Sequence, residues 1–144
     1  MEIEINFQLV IMWYVVLLIH ELGHVIANKL IGAELVYVSI GYGPELWSFK
    51  KFRINKYFFV AIGYTSIIYR KINSKLELSF AFLNGILFST VIWLIINLFW
   101  DNSFVQEFNF CFYLLSFTAL LPINYPIGGN PSDFKQVLDL YRKA

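Results

Sequence analysis

Residues 20–24 read His20-Glu21-Leu22-Gly23-His24. On a helix, positions four apart share a face, so both imidazoles can reach one metal ion with Glu21 beside them. Two neutral histidines and a third protein ligand hold zinc and leave a fourth position for water. Zinc brings the pKa of that water to about 7. Glu21 can then take its proton as attack begins and return it to the leaving amine. This is the chemistry of a metal-dependent peptide hydrolase. The pattern is short and recurs by chance. Here, however, it follows an unbroken apolar run from Leu9 to Ile19, and ionisable residues inside a membrane segment default to a functional reading. The plainer alternative is a His/Glu cluster that merely ends a helix among lipid headgroups.

The elements around the motif read as membrane helices. Hydrophobic residues make up 58% of the 144, charged residues 15%, and mean hydropathy is +0.61. Soluble domains carry about 25% charged residues, so an ordinary soluble globule is excluded, as are a disordered chain and a coiled coil. A net charge of +1 implies no nucleic-acid partner. The single Cys111 excludes an internal disulfide framework. Three stretches approach the roughly 20 apolar residues a bilayer needs: about 7–27, 78–99 and 104–121. The first starts with Glu2 and Glu4 rather than basic residues, which argues against a signal peptide. Every Lys and Arg lies between the first and second stretches or after the third. The positive-inside rule then sets the N-terminus outside and the C-terminus in the cytoplasm. The loop at about 34–70 is rich in Val, Ile, Tyr and Phe, with Gly41, Gly43, Pro44 and Gly63 as punctuation. It predicts short strands forming a membrane-associated hairpin or small sheet. Lys50-Lys51-Phe52-Arg53 reads as a solvated turn, with anionic headgroups as the alternative partner.

A third metal ligand is required. Asp101 and Glu107 fall on the far side of this topology. Glu34, Glu45, Glu77, Asp133 and Asp139 are on the correct side. Asp133 follows a segment, 122–132, that carries three prolines and two glycines and cannot be regular helix. Irregular backbone at membrane depth is tolerated where it is buried or lines a watery cavity. Such a segment can fold back and present Asp133 to the metal. Asp133 as the cap of a short helix over 133–142 is the competing reading, and one residue can do both. Glu77 is the next candidate. Asn84 and Gly85 suit close helix packing.

Four features resemble the site-2 protease family of intramembrane zinc metalloproteases. They are HELGH at 20–24; the segment from Ile31 to Trp47 containing Ser39-Ile40-Gly41-Tyr42-Gly43-Pro44; the apolar stretch with Asn84; and Leu-Leu-Pro…Gly-Gly…Ser-Asp at 120–133. The resemblance covers nearly the whole chain, taken as a single membrane-embedded core over 1–144. It implies three transmembrane helices, one zinc ion held by His20, His24 and Asp133, Glu21 as base, and strands that clamp an unwound substrate. The sequence departs from the family pattern at Phe80 and Ala81, where Gly-Pro is common, at Ala119 in place of Asn, and at Phe134 in place of Gly. Asn84 and Asn124 are candidates to supply the missing amide near the scissile carbonyl.

The expected function is intramembrane zinc endopeptidase, acting on a transmembrane or membrane-associated peptide or protein within the lipid bilayer of a prokaryotic cell. A catalytically silent immunity or adaptor protein on the same fold is the alternative. Three short spans enclose a metal site poorly, so a homo-oligomer or a membrane partner is also expected.

Overall fold

The computed structural model describes residues 7–60, 62–70 and 73–142. Glu2, Glu4, Lys71 and Lys143, which entered the charge reading, lie outside the described residues, as does the N-terminus itself. The chain runs α1 (Phe7–Leu30), β1 (Ala33–Ile40), β2 (Tyr42–Phe49), β3 (Phe52–Tyr57), a single helical turn at Phe58–Val60, β4 (Gly63–Tyr69), α2 (Lys75–Phe99), α3 (Ser103–Leu120) and α4 (Asp133–Arg142).

The expectation of three transmembrane helices is overturned. Among the described residues two helices, α1 and α2, are long and apolar enough to cross a membrane. The third stretch does form a helix, but it is 18 residues long, about 27 Å at 1.5 Å per residue. It carries Gln106, Glu107 and Asn109 in its first turns. Its apolar run begins only at Phe110, which leaves too little for a bilayer core of about 30 Å. A fourth helix, α4, completes the set.

Each helix end has a local cause. Ser74 opens α2 with a capping box: its Oγ accepts from the Glu77 amide at 3.2 Å, and the Glu77 carboxylate accepts from the Ser74 amide at 2.8 Å. Asn102 caps α3 by accepting from the Val105 amide at 3.1 Å. Pro122 follows the last residue of α3 and its cap.

The helices share one apolar core. Met12 and Val16 of α1 pack with Phe108, Cys111 and Phe112 of α3, and Trp93 of α2 closes over them. The Trp93 and Phe112 rings stack with centroids 5.5 Å apart. At the far end Asn97 and Asn109 exchange two amide hydrogen bonds of 2.9 Å between α2 and α3. Close contact of α1 with α2 depends on small residues. A Cβ on Gly23 would stand 2.5 Å from the Asn84 carbonyl oxygen. The outer faces of α1 and α2 present apolar side chains, among them Ile11, Val15, Leu18, Leu87, Val91 and Leu94. That is the surface a bilayer covers.

The strands form a four-stranded sheet in the order β2-β3-β1-β4. It is not a plain set of hairpins, because β1 runs parallel to β3 while β2–β3 and β1–β4 are antiparallel. The tight turn between β2 and β3 falls at Lys50 and Lys51, with Lys50 at φ 54°. Among the described residues β4 pairs with β1 alone, so its other edge carries no strand.

Candidate metal centre

The motif occupies the middle of α1, and the helical spacing turns both imidazoles toward α2. His20 Nε2 and His24 Nε2 lie 3.2 Å apart. α4 supplies the third group: Asp133 Oδ2 stands 3.0 Å from His20 Nε2 and 3.4 Å from His24 Nε2. Ligand atoms about 2.0–2.1 Å from a tetrahedral zinc are about 3.3 Å from one another. The three observed edges bracket that value.

Asp133 is free to serve here because its neighbour takes the capping role. Ser132 Oγ accepts from the Lys135 amide at 3.2 Å and donates to the Leu121 carbonyl oxygen. The segment before it is a pinned turn. The Tyr125 amide donates to the Asn130 carbonyl at 2.8 Å, the Ser132 amide to the Ile123 carbonyl at 2.9 Å. Gly128 and Gly129 sit at φ 84° and 67°, a region costly for other residues. This is what the two glycines at those positions are for.

The donor set fits a divalent cation. Asp133 Oδ2 is buried and makes no hydrogen bond, although two ring nitrogens lie close to it. A buried carboxylate oxygen left so is costly, and a metal ion among the three groups removes that cost. His24 Nδ1 lies 3.0 Å from the Ala81 carbonyl oxygen. An oxygen acceptor there requires the proton on Nδ1, which leaves the Nε2 lone pair for a metal. Burial would raise the Asp133 carboxyl pKa, but His24 and His20 outweigh it and hold the group below the usual carboxylate range. Gly85 of α2 makes the room: a Cβ there would stand 2.7 Å from His20 Nε2 and nearer still to His24 Nε2.

Glu21 is buried next to this triad. Thr65 of β4 donates to Glu21 Oε2 at 2.6 Å. Gly63, two residues earlier on the same face, lets the strand approach so closely that a Cβ would stand 2.7 Å from Glu21 Cδ. The carboxylate is therefore steadied by the sheet and not by its own helix. All four groups border a cavity of about 650 Å³, walled by β4, by Leu114 and Thr118 of α3, and by Tyr125 and Asn130 of the turn. Burial first, then the negative charges of Asp133 and Glu21, push the Tyr125 phenol up to about 12.

Of the residues singled out in the sequence, His20, His24 and Asp133 converge, with Glu21 alongside. Glu77 is engaged in the α2 capping box. Asn84 is buried between α1 and α2, where its amide donates to the Gly23 carbonyl at 2.7 Å; it does not border the cavity. Asn124 is exposed and bridged to Pro131, while Asn130 borders the cavity instead. The departures at 81 and 134 leave the triad undisturbed. Ala81 contributes a backbone carbonyl, which any residue has, and residue 134 lies in α4, where no glycine is needed. Thr65 and Gly63 were not legible as site residues, because only the sheet brings them to Glu21 across more than 40 positions of chain.

Residues 8–135 match the family model described as Peptidase family M50. No curated protein and no solved structure matches the chain.

Proposed function

The chain belongs to peptidase family M50, a family of membrane-embedded zinc metalloproteases, and from that premise we propose that it is an intramembrane zinc endopeptidase. The observation that carries the reading is the convergence of His20, His24 and Asp133 beside a buried glutamate, in a cavity walled by the edge strand β4. His20, His24 and Asp133 would hold the metal. Zinc held there would supply a water whose pKa is near 7. Glu21, buried beside the triad, is placed to take up a proton at its carboxylate and to return it to the departing amine. Thr65 keeps the Glu21 carboxylate aimed by occupying one of its oxygens. The substrate is an extended segment of a membrane protein or membrane-associated peptide. Its backbone pairs with the open edge of β4, which supplies hydrogen bonds that an unwound helix has lost. By the positive-inside rule, the basic residues between α1 and α2 support a cytoplasmic location for this end of the molecule.

The test is zinc per chain and peptide cleavage in the purified protein, with Glu21→Gln and Asp133→Ala in parallel. Wild type is expected to hold one zinc and cleave. Glu21→Gln should keep zinc and lose cleavage by at least about 100-fold. Asp133→Ala should lose both. Cleavage that survives in Glu21→Gln overturns the proposal.

A further inference from the structure

On the other face of the sheet lies a second cavity, of about 430 Å³, that shares Ile62, Tyr64, Ile127 and Asn130 with the first. Ladder partners lie on one face of a sheet. The register pairs Ser39 with both Tyr64 and Arg53, and Glu45 with Asn55. These residues therefore share a face. Val38 and Thr65, also paired, lie on the opposite face with the Glu21 contact. One surface of the sheet thus steadies the base and the other floors this cleft.

The polar groups of the cleft are unevenly spent. Glu45 uses both carboxylate oxygens: Oε1 accepts from Ser48 at 2.6 Å, and Oε2 stands 3.3 Å from Arg53 Nε. Arg53 sits over the Tyr37 ring, with its guanidinium carbon 3.9 Å from the centroid. The ion pair runs through Nε. Among the described residues the two terminal nitrogens, a fork suited to a carboxylate, make no hydrogen bond. The hydroxyls of Tyr42 and Tyr64 and the Asn130 side-chain amide also line the cleft, make no hydrogen bond among the described residues, and can all donate.

We propose that this cleft is a specificity subsite for a carboxylate on the peptide substrate, bound by the Arg53 guanidinium. The inference rests on the endopeptidase reading, since it assigns the cleft to the substrate of that cavity. Tyr64, Ile127 and Asn130 form the shared rim, so a segment held in the catalytic cavity continues over them into the cleft. The carboxylate then lies at a fixed position a few residues from the cleaved bond. Either an Asp or Glu side chain or a free chain terminus has the required chemistry.

The experiment pairs binding with cleavage. The full chain carrying Glu21→Gln, zinc-loaded in detergent, is titrated with labelled peptides from a library that differ only by Glu against Gln at each position, with acid or amide C-termini. Wild type is assayed with the same peptides. Expected is one position at which the acid is favoured about tenfold. Arg53→Gln should level that ratio. Glu45→Gln, which removes the competing carboxylate, should raise it. A fold defect would weaken acid and neutral peptides alike and leave the ratio standing, so the ratio isolates the subsite. Preference that persists in amidated peptides assigns the site to a side chain, and preference lost on amidation assigns it to the terminus; both support the proposal. Equal ratios in all three proteins overturn it even where wild type cleaves. Absence of cleavage with an Arg53-dependent binding ratio overturns the endopeptidase reading and leaves the carboxylate subsite standing.

Discussion

Tyr125 shows how far the charges of the centre reach. Its phenol is held neutral by burial and by two carboxylates, with a folded pKa of about 12 against about 10 when unfolded. A raised pKa in the folded state means stability that is whole below pH about 10 and is lost as pH rises toward 12. Tyr125→Phe cannot ionise and should escape that loss. Unfolding followed from pH 8 to 12 should show wild type and variant converging below pH 10, with the variant the more stable above it. Identical alkaline profiles would contradict the placement of the phenol beside Asp133 and Glu21. At this scale the sequence was informative about ligands and poor about their supports. His20, Glu21 and His24 announce themselves because metal chemistry needs their types at helical spacing. The groups that orient them are a backbone carbonyl at Ala81 and a common threonine at 65. Neither carries a signal in its residue type.

Between α1 and α2 the decisive residue has no side chain at all. Gly85→Ala should favour the helix by about 0.5–1 kcal/mol on conformational grounds. Yet the added methyl would press against both ligand nitrogens. The expected outcome is unchanged or higher helicity with zinc affinity reduced at least about tenfold, read by circular dichroism and metal titration. Full zinc binding would mean that α2 does not crowd the imidazoles. Element positions were largely legible. The apolar stretches and the proline after α3 mark helices that are present. What the sequence hid was partnership. A parallel β1–β3 pair depends on how the chain crosses over, which alternation of residue types does not encode. Likewise, an apolar stretch reads alike whether it faces lipid or protein. Phe108, Cys111 and Phe112 of α3 are buried against α1, while Phe110, Tyr113 and Phe117 of the same helix are exposed.

For the whole molecule, the outward apolar faces of α1 and α2 distinguish a bilayer from water. Leu87 is exposed at the middle of α2. In a water-facing helix Leu87→Lys would change stability by less than about 0.5 kcal/mol. In a bilayer it costs about 2.5–3.5 kcal/mol at the helix centre. The variant should leave the membrane fraction or be degraded, read by carbonate extraction of expressed wild type and variant. Equal retention would remove α2 from the bilayer. The sheet has its own consequence at this scale. In the proposed peptidase, the strand that would offer its edge to a peptide is the strand that steadies Glu21. A guest that sits out of register would strain β4 and shift Thr65, so the error would be felt by the base while the guest remained seated. Poor substrates of such a molecule would be recognised by slow turnover at full occupancy, and discrimination would be written in rate more than in affinity.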